Sequence, residues 1–329
     1  MAGFSDEPLL LRMDLVTDAF YRQLPSDQDK RLLEIAAKTA NINPVLRLAS
    51  KKEFKRFKKP GHEDTTKSIY AKYSSREEQL LQSGTLDMAW GLKWLFSYVV
   101  LLDTPVLKPE LTGRMLDVTG EWLQNMAEAG IDEVAAVLPE LRQVLEVARE
   151  EIPLSRALAD QLPGRFNQAC SLLYSGELRQ NYVDVNKPKW AQGDADLAAL
   201  TDNQPPQGFG QTDAIPLNQA QMLVDNVVPR GSVCTRSRPE DLRILSVTRS
   251  ANDGDYGNVL AMVSVFDRER MADTGDPLAL RFDEEMAPNL KPGFVIEATL
   301  YSLNNGMHYI DQVTMVWPTY APLDYVESY

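Results

Sequence analysis

Side chains that could perform nucleophilic or metal chemistry are few in this sequence, and they are scattered. The chain has two histidines, His62 and His308, and two cysteines, Cys170 and Cys234. Neither histidine has a neighbour at the spacing of a zinc ligand, and a nucleophile–base–orienter arrangement needs more groups of these types. We therefore expect both histidines in surface loops and Cys170 as a small, buried, unreactive side chain.

A carboxylate pair of the kind used by glycosidases or aspartic proteases must converge on one face. The segment "FVIEATLYSLNNGMHYIDQVTMVWPTY" (294–320) indicates two strands joined by Asn305-Gly306, a dipeptide typical of a type I′ turn. A two-residue loop at this point would pair Leu300 with Asp311 and would put Glu297 and Asp311 on opposite faces. Both acids are predicted to be solvated or capping groups.

Two glycine-containing stretches could suggest phosphate or calcium sites. The stretch "GFGQTD" (208–213) lacks the third glycine and the flanking strand and helix of a dinucleotide loop. The stretch "NDGDYGN" (252–258) lacks the closing glutamate of a calcium loop and is typical of a turn between strands. The sequence therefore predicts no catalytic residues, no cofactor and no metal, although carboxylates on distant loops leave a hydrolase open as an alternative.

The charge balance limits the partners that this chain can bind. Acidic residues outnumber basic ones 47 to 34, which gives a net charge of −13. Such a surface repels phosphate except where cations cluster, so any contact with nucleic acid must be local. The two isolated cysteines fit a reducing compartment, the acidic N-terminus does not predict a signal peptide, and the longest apolar stretch is too short to span a bilayer.

One local cluster of cations does occur, in "KKEFKRFKKP" (51–60). A helix continuing from Pro44 would gather the cations on one side and place Phe54 and Phe57 on the other. The candidate contacts are Lys51, Lys52, Lys55, Arg56, Lys58 and Lys59. Three interpretations remain open: a solvated face, a nuclear-import or nucleic-acid patch, and a docking helix for an acidic partner.

The elements that must position these residues change character along the chain. Apolar periodicity predicts helices over 26–41, 88–102, 111–130, 133–151 with a bend or break at Pro139, 164–176 and 218–227. Ser26 is a predicted N-cap. β-branched runs predict strands over 242–250, 258–267 and 278–282, followed by the hairpin.

These patterns predict an α+β protein, with a mainly helical body and a C-terminal antiparallel sheet packed on it. The expected regions are an N-terminal helical region with the basic segment (1–60), a helical core (61–192), a polar linker or excursion (193–215) and a β region (216–329). The β region is expected to pack with the helical core as one domain.

Three stretches resemble one known family. They are "LKWLFSYVVLLDTPVLKPELTGRMLDV" (92–118), "LPGRFNQACSLLYSG" (162–176) and "LKPGFVIEATLYSLNNGMHYIDQVTMVWPTYAPL" (290–323). Together they are similar to the argonaute-binding subunit of the fungal argonaute siRNA chaperone complex, in order over residues 60–325. The motif positions of expected structural role are Leu162, Pro163, Gly164, Phe166, Asn167, Gly293, Glu297, Ala298, Gly306 and Asp311. Departures from the family pattern include Ser175-Gly176 in place of a double glycine, Phe294 in place of methionine and Thr319-Tyr320 in place of Ser-Phe.

The resemblance implies a non-enzymatic protein of the nucleus, with the cytoplasm as a second expected location. Its expected partners are argonaute and a second chaperone-complex subunit, with small RNA contacted indirectly and no membrane. The implied role is to hold argonaute with duplex small RNA and restrain passenger-strand release, in support of RNA-directed heterochromatin assembly and gene silencing. The alternative is an RNA-binding adaptor that acts independently of argonaute.

Overall fold

The computed structural model describes residues 9–41, 87–102, 109–177, 215–249 and 256–323. The basic run 51–60, His62 and the stretch 208–213 lie outside these ranges, as does nearly all of the predicted linker. The chain forms two compact units, a first unit of Met1–Ile152 with Tyr320–Pro322, and a second unit of Pro153–Thr319 with Leu323–Tyr329.

Helices build the first unit. They are α1 (Leu9–Gln23), α2 (Asp27–Asn41), α3 (Met88–Trp94), which continues through the π-helical Leu95–Val99 and a last turn at Val100–Leu102, α4 (Pro109–Glu128) and the first part of α5 (Asp132–Gln161). Ser26 is the N-cap of α2, as predicted: its Oγ accepts the Asp29 backbone N–H at 3.0 Å. Helix α3 opens in the same way, with Asp87 Oδ1 accepting the Trp90 N–H at 2.9 Å.

Helix α5 differs from its prediction. It runs without a break through Pro139 and Pro153 to Gln161, so the break at Pro139 is wrong. Both prolines lie on the exposed side of the helix, while Leu141 and Ala148 are fully buried on the other side. Burial of that apolar stripe outweighs the one hydrogen bond that each proline removes.

In its described residues, the second unit contains the end of α5, two short helices and a five-stranded sheet. Its helices are α6 (Gly164–Leu173) and α7 (Leu217–Val224), and its strands are β1 (Cys234–Arg249), β2 (Val259–Asp267), β3 (Ala272–Phe282), β4 (Val295–Leu303) and β5 (His308–Trp317), with a single 3₁₀ turn at Glu284–Met286. The strand order is β3-β2-β1-β4-β5, and each neighbouring pair is antiparallel. The predicted α+β class is confirmed.

Strand β1 serves two partners because it is long. Its first part, Cys234 to Arg243, pairs with β4, and its last part, Leu242 to Arg249, pairs with β2. The two parts overlap at Leu242 and Arg243, and a bulge between Ile244 and Ser246 then interrupts the pairing with β2; such a bulge bends a strand. One strand can therefore pass from one half of a curved sheet to the other.

The β4–β5 hairpin has a different turn from the predicted one. The Leu303 N–H donates to the Met307 carbonyl at 2.8 Å, and the Gly306 N–H donates to the Leu303 carbonyl at 3.1 Å. Gly306 alone in this loop has a positive φ, +82°. This is the three-residue loop in which a type I turn is followed by a left-handed glycine, so the predicted type I′ turn is wrong.

The three-residue loop gives the two strands a register different from the predicted one. Leu300 pairs with Ile310, and Asp311 pairs with Thr299, which lies on the same face of β4 as Glu297. The prediction that Glu297 and Asp311 lie on opposite faces is therefore wrong. A bulge at Gln312, whose φ is 50°, then shifts the pairing again toward the far end of the hairpin.

Each face of the hairpin contributes to a different apolar cluster of the second unit. Ile296, Ala298 and Leu300 face a cluster with the inner residues of β1, β2 and β3 and with Leu158 and Leu162. On the opposite face, Tyr301, Leu303 and Tyr309 pack with α6 and α7 through Phe166, Ala169, Cys170, Ala220 and Val224. The sheet is thus covered on both faces near the hairpin loop.

Candidate functional site

The first turn of α6 meets the ends of β3 and β5 and the residues just before β2, and we call this region the helix–sheet junction. The chain enters it through a cis peptide bond between Leu162 and Pro163. Gly164 follows with φ +80°, and a Cβ at this position would lie 2.7 Å from Asp283 Oδ2. Only glycine fits here, because the backbone is left-handed and the neighbouring carboxylate leaves no room for a side chain.

Asp283 ties the start of α6 to the residues before β2. Its carboxylate accepts the backbone N–H groups of Arg165 at 2.6 Å, Phe166 at 3.3 Å and Gly257 at 3.1 Å. Burial raises the pKa of the Asp283 carboxyl, and these three hydrogen bonds oppose the rise. The group acts as the N-cap of α6 although it follows Arg165 by 118 residues in the chain.

Asn167 joins the two edge strands of the sheet. Its Nδ2 donates to the carbonyl oxygens of Pro163 and Arg281, both at 2.9 Å, and its Oδ1 accepts the Ile310 N–H at 3.2 Å. Arg281 lies on β3 and Ile310 on β5, which are the outer strands of the sheet. The fully buried amide therefore offers each edge the partner that a peptide group of another strand would offer.

Asp311 holds the other end of α6. Its Oδ2 accepts the Ser171 hydroxyl at 2.6 Å and the Glu177 backbone N–H at 3.0 Å. A Cβ on Gly176 would lie 2.7 Å from the same oxygen, so the second residue of Ser175-Gly176 must be glycine. Tyr309 adds a contact, because its hydroxyl donates to the Ser175 carbonyl at 2.5 Å.

A second polar cluster lies on the sheet around Arg268. Its guanidinium Nη2 contacts Asp241 Oδ1 at 2.5 Å and Glu297 Oε2 at 2.6 Å, and the Trp317 indole N–H lies 3.4 Å from Glu297 Oε2. Burial raises the pKa of Asp241, and the bond from Arg268 opposes the rise. Asp241 and Glu297 are therefore two carboxylates that converge on a buried cation, which is a structural ion-pair arrangement.

These contacts correct the predictions for both hairpin acids. Glu297 lies in a mostly buried ion pair, and Asp311 is buried and bonded to α6, so neither carboxylate is a solvated group. His308 is the first residue of β5 rather than a surface-loop residue, and burial lowers its pKa, as does the nearby Arg238. Cys170 is buried as predicted, and burial raises the pKa of its thiol far above neutrality.

The motif residues outside α6 lie at turns and in the sheet core. Gly293 has φ +93° and donates its N–H to the Ile244 carbonyl at 2.7 Å, and Ala298 is buried in β4. The structure thus places most motif positions at the junction or next to it. Sequence reasoning missed Asp283, Asp241 and Arg268, because no local pattern connects them to their distant partners. The candidate contacts of the basic run lie outside the described residues.

Some kinds of site are absent from the part of the chain that the structure describes. It contains no group of three or more His, Cys, Asp or Glu side chains that could hold a metal ion. No helix in these ranges is long and apolar enough to cross a membrane.

The fold and the junction define an α+β protein in which buried amide and carboxylate groups fasten a helix to a sheet. Residues 132–254, from the start of α5 past the end of β1, match the family model described as Argonaute siRNA chaperone (ARC) complex subunit Arb1. This match confirms the family resemblance identified from the sequence. Searches of curated proteins and of solved structures give no match.

Proposed function

We propose that this chain is the argonaute-binding subunit of an siRNA chaperone complex and that it acts by stoichiometric binding. The observation that carries the proposal is the family match over residues 132–254, which includes α6 and β1. The partner is argonaute loaded with duplex small RNA, and the complex contains a second chaperone subunit. In this role the chain restrains passenger-strand release and supports heterochromatin assembly in the nucleus of a fungal cell.

The helix–sheet junction supports a binding role on physical grounds. Asn167, Asp283 and Asp311 each engage two or more partners, from segments more than 100 residues apart. Multiple buried hydrogen bonds of this kind hold a single arrangement of surface loops. A surface that is rigid before binding loses less conformational entropy on association, which favours a protein that works by holding a large partner.

The directness of the argonaute contact can be tested by affinity capture. The tagged full-length chain is recovered from its native cells, the lysate is treated with RNase, and captured proteins are identified by mass spectrometry. We expect argonaute to remain bound after RNase treatment, because the proposed contact is between proteins. Loss of argonaute on RNase treatment, with retention of RNA in untreated samples, would favour the independent RNA-binding adaptor.

The restraint on the passenger strand requires its own measurement. Argonaute loaded with duplex small RNA carrying a labelled passenger strand is incubated with and without the purified chain and its co-purifying subunit. We expect slower release of the labelled strand when the chain is present. Equal release rates, in a sample where capture of argonaute is intact, would remove this part of the proposal and leave the binding role.

The basic run offers a test of the nuclear location. Replacement of Lys51, Lys52, Lys55, Arg56, Lys58 and Lys59 by glutamine removes its positive charge without adding negative charge. We expect the full-length variant to lose nuclear accumulation while still capturing argonaute from lysate, because import receptors recognise clustered cations. Unchanged nuclear accumulation would leave the docking and solvated interpretations of the run.

A further inference from the structure

The strand order of the second unit carries a second functional clue. A β1-β2-β3 meander is joined through β1 to a β4–β5 hairpin, the long β1 is bulged and shared by β2 and β4, and β3 approaches β5. This is the connectivity of the five-stranded, partly open Greek-key barrel of the OB type. Asn167 closes the gap between β3 and β5 with its side-chain amide.

We infer that this barrel is a single-stranded RNA-binding module and that the outer face of β1, β2 and β3 is its binding surface. The inference goes beyond the proposed argonaute contact and does not depend on it. In barrels of this type, oligonucleotides lie across the outer face of strands 2 and 3, next to the loop between strands 1 and 2. The connectivity alone does not establish a ligand, so the residues on that face must carry the argument.

The outer face can be read from the strand register. Val263, Leu280 and Phe282 point into the apolar core, so the residues that alternate with them point outward. The part of the outward row that is nearest the β1–β2 loop, which we call the outer face, consists of Ser246, Thr248, Leu260, Met262, Ala279 and Arg281. These six residues include no carboxylate, in a chain with 47 acidic residues, and Asp273, farther along the same side of β3, is ion-paired with Arg243 at 3.4 Å. Within the described residues, this face is therefore free of the charge that would repel a polyanion.

An aromatic ring and two guanidinium groups lie at the end of the outer face near the β1–β2 loop. Tyr256 is 37 % exposed, and the Arg165 guanidinium carbon lies 5.9 Å from the centroid of its ring. Arg281 Nη1 donates to the Gly257 carbonyl at 2.9 Å, which holds its guanidinium next to the same backbone. The junction contacts of Phe166 and Asp283 fix these groups relative to one another.

This combination matches the chemistry of a single-stranded nucleic acid. A base can stack on the accessible part of the Tyr256 ring, the two guanidiniums can contact phosphates, and the partly exposed Leu260 and Met262 can cover a base or a ribose. An acidic peptide would use the arginines but not the ring or the apolar row. With about two phosphates neutralised, log affinity should fall with log salt with a slope of about −1.4.

The test is fluorescence anisotropy of a labelled 12-nucleotide single-stranded RNA with the full-length chain. Wild type is compared with Tyr256→Ala, Tyr256→Phe, Arg165→Gln and the charge-matched control Arg270→Gln. Arg270 is 77 % exposed and lies beyond the far end of the nine-residue β2, roughly 30 Å from Tyr256 along the strand. All five proteins are measured with the natural basic run and with its six cations replaced by glutamine, so that RNA binding by the run is separated from binding by the barrel.

We expect Tyr256→Ala to raise the Kd about 5-fold or more in the glutamine background, because one base-stacking contact is lost. Tyr256→Phe should bind as wild type does, because stacking needs only the ring. Arg165→Gln should weaken binding and make the salt slope shallower by about 0.7, whereas Arg270→Gln should change neither quantity. Near-ultraviolet circular dichroism confirms that each variant is folded.

Two results would overturn the inference. One is RNA affinity that is absent in the glutamine background or unaffected by both Tyr256→Ala and Arg165→Gln. The other is loss of RNase-resistant argonaute capture by Tyr256→Ala with unchanged RNA affinity, which would assign the outer face to a protein partner. If only the argonaute proposal fails, the two experiments give different results. Wild type then loses argonaute in the RNase-treated capture, while the anisotropy measurements still show the expected effects of the outer-face variants.

Discussion

The two units of the chain differ in what fixes their elements in place. In the first unit, large apolar side chains such as Phe96 and Leu33 are fully buried, and the polar links between helices include a partly accessible partner, as in Arg114 with Asp29 and the Trp122 indole N–H with the Thr17 hydroxyl. In the second unit, the contacts between helix and sheet include fully buried polar groups. Apolar packing is non-directional, whereas hydrogen bonds require defined geometry. The second unit should therefore tolerate changes to its buried polar groups far less than the first.

The strongest test of this difference is Asn167→Ala. The substitution leaves the carbonyls of Pro163 and Arg281 and the Ile310 N–H without their side-chain partner inside the protein. Each unsatisfied buried group costs about 1–3 kcal/mol, so we expect the free energy of unfolding of the second unit to fall by about 4 kcal/mol. Urea unfolding combined with hydrogen exchange at the Ile310 amide measures the loss. Protection of that amide equal to that of wild type would contradict the bridging role.

A smaller effect is expected from a matched pair of buried hydroxyls. In the second unit, Ser171→Ala removes one of three donors to the buried Asp311 carboxylate and should cost about 2 kcal/mol. In the first unit, the fully buried Thr119 bonds only to the Met115 carbonyl of its own helix in the described contacts, and Thr119→Val should cost less than about 1 kcal/mol. Urea unfolding of both variants compares the two losses, and equal losses would break the distinction between the units.

The smallest expected effect is the change in folding stability at low pH. Its sign differs between the buried carboxyls of the two units. A hydrogen bond from Arg114 lowers the pKa of Asp29, so this carboxylate stabilises the first unit above the carboxyl pKa of the unfolded chain, about 4. That contribution is lost as pH falls through the lowered folded-state pKa. Burial raises the pKa of Asp283 and Asp241, so their linkage has the opposite sign: it favours folding at low pH and is lost as pH rises through the raised folded-state pKa.

We therefore expect Asp29→Asn to destabilise the first unit by about 1 kcal/mol at pH 7 and by progressively less below about pH 4. Asp27→Asn serves as the control, because the Asp27 side chain is fully exposed at the start of the same helix. It should have little effect on stability at either pH. Urea midpoints measured at pH 7 and pH 3.5 give both differences. A cost of Asp29→Asn that grows on acidification would contradict the assigned pKa direction.

The sequence predicted those parts of the fold that depend on local patterns. Ser26 and the periodicity after it predicted α2, and the β-branched runs predicted the strands in their correct order. The hairpin register was wrong because Asn305-Gly306 suits two turns, type I′ and a type I turn with a left-handed glycine, which differ by one residue in loop length. The break at Pro139 was wrong because the local effect of proline was outweighed by burial along the whole of α5.

The junction could be predicted only as a set of motif positions. The resemblance selected Gly164, Asn167 and Asp311, but their partners are more than 100 residues away in the chain. Neither periodicity nor spacing encodes such pairs. Asp283 belonged to no motif, although it caps the helix on which the motif lies. For the same reason, the sequence does not predict the contact between Tyr256 and Arg165.

We propose that this chain holds argonaute by direct protein contact. It is tested most directly by sedimentation velocity on purified full-length chain, with its co-purifying subunit, mixed with argonaute carrying duplex small RNA and then treated with RNase. We predict a faster-sedimenting boundary that contains both proteins and that is diminished when Asn167→Ala replaces wild type. Independent sedimentation of the folded wild-type chain and argonaute would contradict the account.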